Sequence, residues 1–287
     1  MKKSILLLLL VIPTLTKAQN VMTETRRELT SPDGAYRFTF YQRSFGEDNA
    51  RMYYTLTYKN RPVVEEGELG VQIENQLFES ALGVPNDTCH FWCENLKLTD
   101  TDHRKNDATW KPVYGERAEI RDCYNEMTLK FKKGEGDGAQ EGGYDKRKNY
   151  FMNIIVRAYN EGVAFRYLFP EHPNAIYHKV IADDTEYTFE KGAQTWCASW
   201  AQGIYKQLSI PEWKGIYERP MTIGLPNGLW VSIADADVAD WCLSRFKKNI
   251  QKQNTISTDM YDVVDVVTPG KLSLIHISEP TRHAQIS

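Results

Sequence analysis

Apolar and polar residues alternate with a period of two along much of the chain. Tyr36, Phe38 and Phe40 alternate with Arg37 and Thr39; Met52, Tyr54 and Leu56 with Tyr53, Thr55 and Thr57; Val163, Phe165, Tyr167 and Phe169 with Ala164, Arg166 and Leu168. This period sends successive side chains to opposite faces and predicts strands with one buried and one wetter side. Turn residues separate such runs at Lys59-Asn60-Arg61-Pro62, Asn160-Glu161-Gly162 and Pro226-Asn227-Gly228. Asn-Gly is the pair preferred by a two-residue type I′ hairpin, and hairpins imply antiparallel pairing. A helical period is scarce. Asp235 to Lys248, with Val238, Trp241, Cys242 and Leu243, predicts a short helix, a strand being the alternative. The expected fold class is all-β, a large antiparallel β-sandwich.

The segment from Lys132 to Lys148 is rich in Gly, Asp, Glu, Lys and Gln and lies between two strand-like runs. A phosphate-binding loop should open a helix and carry a set glycine spacing or a Lys-Ser/Thr pair. Neither is present, so the segment reads as a hairpin tip. No repeat period of 20 to 50 residues appears, which argues against solenoids and propellers.

At 287 residues the chain has room for one large or two ordinary domains, but both ends are expected to lie outside the fold. Lys2 and Lys3 precede the apolar run Ile5 to Ile12, and Thr16-Lys17-Ala18 places small residues before a cut ahead of Gln19. Residues 1–18 therefore read as a secretory signal peptide, with export to the periplasm as the expected destination. The run is far shorter than the roughly 20 apolar residues of a membrane-spanning helix. No other stretch approaches that length. At the other end, Leu272 to Arg282 (LSLIHISEPTR) resembles an in-frame translation of a sequencing-library adapter, so residues 272–287 are expected to be non-native. That leaves 19–271 as one domain.

Composition excludes several partner classes. Lys and Arg number 35 against 38 Asp and Glu, a net charge of -3, and losing the three lysines of the signal peptide would take it to -6. Neither nucleic acid nor an anionic membrane surface is favoured by that balance. The five cysteines, Cys89, Cys93, Cys123, Cys197 and Cys242, are too few for a disulfide scaffold and odd in number. Cys89 to Cys93 resembles half of a zinc site, but no second Cys/His pair completes it, and isolated thiols are the expectation.

No Gly-x-Ser-x-Gly elbow or His-Glu-x-x-His helix occurs. Carboxylates do fall in close groups: Glu116 with Glu119, Asp183 with Asp184, and Asp235 with Asp237 and Asp240. Glycoside hydrolysis needs two carboxyls about 5 to 10 Å apart, yet groups this close in sequence more often sit on a solvated face. Arg117 and Arg121 are expected to pair with Glu116 or Glu119. Trp196, Trp200, Tyr205, Trp213 and Tyr217 cluster in one stretch. Flat amphipathic rings suit stacking on sugars, and they equally suit the core of a sandwich.

Five passages together resemble the N-terminal domain of glycoside hydrolase family 97, the exported α-glucosidases and α-galactosidases of bacteria. They are Leu29 to Gly34; Tyr54 to Val64 with Leu69-Gly70; Thr109 to Glu126; Ile154 to Pro170; and Pro220 to Trp241. The resemblance covers about Gln19 to Lys271. It implies a β-supersandwich like that of galactose mutarotase, preceding a (β/α)8 barrel that carries the catalytic carboxylates. It therefore implies no catalytic residue in this chain, which is expected to be inactive alone and to pack on the barrel. The family's calcium-binding Glu-Tyr pair falls on Ile204-Tyr205, so the tyrosine is kept and the carboxylate is not; no cofactor is expected here. The same loop places Trp200, Gln202 and Tyr205 as the substrate-binding wall of the pocket for an α-glycoside. The competing reading is a stand-alone carbohydrate-binding or mutarotase-like module. Mutarotase chemistry needs a His and a carboxylate converging in a groove, which His90, His103, His172 and His178 do not suggest.

Overall fold

The structure is a computed structural model that describes residues 22–45, 50–73, 93–94, 96–133, 150–171, 178–237, 241–260, 265–267 and 274–278. The signal-peptide segment, Cys89 and the glycine-rich stretch 134–149 lie outside the described residues.

Strands dominate. In order they are β1 (Met22–Thr30), β2 (Tyr36–Phe45), β3 (Arg51–Tyr58), β4 (Arg61–Leu69), β5 (Val71–Ile73), β6 (Lys97–Trp110), β7 (Ile120–Lys133), β8 (Tyr150–Tyr159), β9 (Gly162–Leu168) and β10 (His178–Asp183). There follow β11 (Glu186–Thr188), β12 (Gln194–Cys197), β13 (Lys206–Ser209), β14 (Ile216–Tyr217), β15 (Met221–Gly224), β16 (Trp230–Asp237), β17 (Ser244–Lys248), β18 (Thr255–Met260), β19 (Asp265–Val267) and β20 (Leu274–Ser278). One 3-10 turn, Ile210–Glu212, is the single helical element among the described residues.

The strands form an eight-stranded sheet in the order β1-β2-β3-β4-β11-β18-β17-β14 and a nine-stranded sheet in the order β13-β12-β15-β16-β20-β9-β8-β7-β6, with a small β19-β10-β5 sheet beside them. Every strand pair described is antiparallel, as the hairpin signals predict. The two large sheets face each other through aromatic contacts. Phe40 meets Phe131 edge-on at 5.6 Å and Tyr54 meets Phe165 at 5.8 Å. The alternating residues read from the sequence supply this core: Phe38, Phe40, Met52, Tyr54, Leu56, Val163, Phe165 and Tyr167 are buried. Each large buried side chain contributes on the order of 2 to 3 kcal/mol relative to exposure, which binds the two layers together.

Two local expectations change. The type I′ turn lies at Lys59-Asn60, where both residues have positive φ (48° and 63°). At Pro226-Asn227-Gly228 only Gly228 is positive (84°), and the loop closes instead through Gly228 N–H to the Leu225 carbonyl at 2.9 Å. Proline at 226 fixes a negative φ, so a longer turn ending in a left-handed glycine forms. The expected helix over Asp235 to Lys248 is also absent, since Asp237 ends β16 and Ser244–Lys248 is a strand. Burial there alternates, with Ser244 and Phe246 inward and Arg245 less so, a period of two.

β20 falls within 272–287, the segment expected to be non-native. Its backbone lies between β16 and β9, with Ile277 opposite Ile233 on one side and Val163 on the other.

Candidate functional site

The β12–β13 hairpin sits at one edge of the nine-stranded sheet, and most of its connecting residues, 199–205, are exposed. The base is fixed from within the core. Thr195 Oγ1 donates to the Leu208 carbonyl at 2.8 Å and accepts from the Trp213 indole at 2.9 Å. Trp213 in turn packs on Tyr217 with ring centroids 4.6 Å apart. Farther out, the Ala198 carbonyl accepts from Glu218 N–H and the Trp200 carbonyl from Gly203 N–H, at 2.9 and 2.8 Å. A Cβ at Gly203 would press on the Trp200 carbonyl and indole at 3.0 to 3.1 Å, so glycine lets the turn close against the ring.

What the turn presents to solvent is mixed. Trp200 is 64% exposed, Ile204 84% and Tyr205 62%, and Gln202 is exposed between them. All three predicted substrate-contacting residues therefore share one exposed loop. Trp213 and Tyr217, which the sequence grouped with them, belong to the core. Behind the loop, on the sheet itself, Trp196 leans on Trp230 at 4.8 Å, and Gly224 between them leaves room for both indoles. Trp230 lies outside the aromatic stretch from Trp196 to Tyr217 in sequence. The signal was in strand register, since Gly224 lies opposite both Gln194 and Trp230.

The chemistry available at this loop is stacking and hydrogen bonding. Residues 198–206 contain no carboxylate, and the hydrocarbon of Ile204 gives a hard cation no oxygen. The donor set thus does not fit calcium. Among the described residues no group of three or more His, Cys, Asp or Glu is arranged to hold a metal.

Members of each carboxylate group have structural partners, and Asp240 lies outside the described residues. Asp183 is buried at 3% exposure, and Asp184 accepts from Gln72 at 3.1 Å. Asp235 is ion-paired with Arg219 inside the sandwich. The expected pairing of Arg121 with Glu116 or Glu119 does not occur. Arg121 bridges Asp107 across the β6–β7 ladder at 2.7 Å, and Glu119 meets Lys111 at 3.5 Å. Cys93, Cys123 and Cys197 are free thiols.

The Glycosyl-hydrolase 97 N-terminal family profile matches residues 29–283. A retaining α-galactosidase of Bacteroides thetaiotaomicron is 23% identical over 259 residues, which span 84% of this chain and 32% of that protein. Among solved structures, a glycoside hydrolase family 97 enzyme from Pseudoalteromonas sp. strain K8, in complex with acarbose, superposes with a TM-score of 0.70 at 17% identity, covering 88% of this chain and 35% of that one. The same enzyme as an E480Q variant was solved with panose, again at a TM-score of 0.70. A β-arabinopyranosidase superposes at 0.67 and 17% identity, covering 88% of this chain and 40% of its own. The chain thus spans about a third of the length of these relatives. With both its sequence profile and its sandwich accounted for, the chain belongs to glycoside hydrolase family 97, of whose enzymes it carries the N-terminal domain.

Proposed function

We propose that this domain serves an exported α-glycoside hydrolase by packing on a catalytic (β/α)8 barrel and forming one wall of its sugar pocket through Trp200, Gln202 and Tyr205. The observation that supports the reading is the exposure of these three side chains on one loop whose base is tied into the core. Ring faces stack on the apolar faces of a sugar while the amide hydrogen-bonds its hydroxyls. Relatives solved with acarbose and panose bind oligosaccharides of the corresponding class. The chemistry itself falls to carboxylates outside this chain, and the Lys2-Lys3 and apolar leader directs the enzyme to the periplasm.

The test compares this chain with the longer enzyme encoded at the same locus, using aryl α-glucosides and α-galactosides. The chain alone is expected to turn over neither, and the longer enzyme at least one. Trp200→Ala and Tyr205→Ala in the longer enzyme should each raise KM about tenfold or more, equivalent to about 1.4 kcal/mol of binding. A stop codon directly after codon 271, or a mutarotase activity of the chain alone, would favour the free-standing module. Unchanged kinetics in both variants would remove the loop from the pocket.

A further inference from the structure

The outer face of the nine-stranded sheet carries three arginines, Arg104, Arg157 and Arg166, grouped around the single carboxylate of Glu126. Along β7, Met127, Leu129 and Phe131 point into the core, so Tyr124, Glu126 and Thr128 point outward. Register places Arg104 of β6 opposite Glu126, Arg157 of β8 on the other side of Glu126, and Ala164 of β9 beyond Arg157. Two residue pairs along, on the same face, Ile155 of β8 lies opposite Arg166 of β9. Arg166 and Arg157 are thus diagonal neighbours on one face, a spacing of roughly 7 to 8 Å between backbones that long side chains readily span.

One carboxylate binds two of the three guanidiniums. Glu126, with 9% of its side chain exposed, takes Arg157 at 2.6 Å and Arg104 at 3.0 Å. Arg157 also lies over the Tyr124 ring, 4.4 Å from its centroid. Arg166 has neither an ion pair nor a hydrogen bond among the described residues, and its Nε is buried without an acceptor. Burial, and then the neighbouring Arg157, lower its pKa from the usual guanidinium value; Glu126 acts the other way. The other acids of this face are engaged elsewhere. Asp100 and Asp102 hold Lys130 at 3.1 and 2.6 Å, and Asp122 accepts from Asn106 at 3.0 Å.

A partly desolvated guanidinium with no acceptor is costly, and two like charges beside it add to the cost. The guanidinium fork matches a carboxylate in shape and charge, so such a ligand relieves both terms at once. We propose that Arg166, flanked by Arg104 and Arg157, forms a binding site for a carboxylate group on the outer face of the nine-stranded sheet. The site is separate from the Trp200 loop and does not depend on the pocket-wall role given to it. Its ligand is a small carboxylate, free or carried on an acidic sugar.

Calorimetric titration of the present chain at low ionic strength, where surface screening is weakest, separates these sources. The probes are succinate against uncharged succinamide, and D-galacturonate against D-galactose. Succinate is expected to bind and succinamide not to. Galacturonate binding more tightly than succinate identifies an acidic sugar as the source; equal binding identifies a plain carboxylate. Arg166→Gln should weaken binding about tenfold or more, the scale of a lost charge-assisted bond, while Arg121→Gln, which removes the same charge from the exposed Asp107 pair, should leave it unchanged. Glu126→Gln should tighten it severalfold by freeing two guanidiniums. Because Glu126 also braces the sheet, Arg166→Gln carries the decision, with circular dichroism melts showing that it folds. Equal affinities in Arg166→Gln and Arg121→Gln, or no binding of either carboxylate, overturn the proposal.

Discussion

Arg219 donates to the carboxylate of Asp235 in the interior of the sandwich, with only 3% and 7% of the two side chains exposed. Asp235 also accepts from Ser244 Oγ at 3.1 Å, and the guanidinium carbon lies 4.2 Å from the centre of the Phe246 ring. The pair therefore joins β16 to β17 and to the connection between β14 and β15. Arg219→Met leaves Asp235 buried without its counter-charge, a loss of about 3 to 5 kcal/mol. The double variant Arg219→Met/Asp235→Leu should recover much of that loss, because no charge is stranded. Urea midpoints for the two variants check this; equal destabilisation of single and double variants would contradict it.

Asp183 sets a different dependence. Burial pushes its carboxyl up to about 6, against the opposing pull of Thr185 donors and Arg219, and one carboxyl oxygen has no hydrogen-bond partner. In the unfolded chain the same group titrates near 4. Between these values the folded protein holds a proton that the unfolded chain has released, so this residue adds stability as pH falls through 6 and withdraws it as pH rises. The swing is on the order of 3 kcal/mol. Asp183→Asn should therefore gain stability relative to the parent as pH rises from 4 to 7. Unfolding curves that run parallel over that range would refute the assignment.

At Gly67 the chain has no room for a side chain. A Cβ there would strike the Glu186 backbone carbonyl and the Tyr54 ring. Tyr54 is itself fixed, fully buried and donating its hydroxyl to that same carbonyl at 3.0 Å. Gly67→Ala is expected to cost more than about 3 kcal/mol, as overpacking against backbone does when nothing can yield. A thermal melt within a few degrees of the parent would show that β4 can shift away.

Cys93 should be chemically silent. Burial pushes its thiol up to about 12, and it hydrogen-bonds both ways with the Val71 backbone, at 3.2 and 3.4 Å. The thiolate is the reactive form. At pH 8 a maleimide or disulfide reagent should therefore modify Cys93 at least about 100-fold more slowly in the native chain than in urea, read by peptide mass spectrometry. Comparable rates in the two states would mean that the β5 corner opens readily.

The sandwich was legible wherever burial followed a strict period of two, as in Met52, Tyr54 and Leu56. It was not legible in β6, whose side chains are mostly exposed. That strand is held by its backbone ladder and by cross-strand charges such as Arg121 with Asp107 and Arg104 with Glu126, which leave no apolar alternation to read. Asp235 appeared in sequence as one of three neighbouring acids. Its real partner, Arg219, is on another strand connection, and pairing at that range is a property of register. The site loop was legible as a cluster of aromatics, but only packing separates Trp200 and Tyr205, which are exposed, from Trp213 and Tyr217, which are buried.

The pairing of β4 with β11 also fixes an order in time. β4 is complete at Leu69, and the strand that covers its open edge begins only at Glu186. During synthesis the β1–β4 half of the eight-stranded sheet must therefore wait, with an unpaired edge open to other chains, until β11 leaves the ribosome. Closure joins residues distant in sequence and is intrinsically slow. Yield on expression should depend on how well that edge is shielded during that interval, more than on the stability of the finished sandwich.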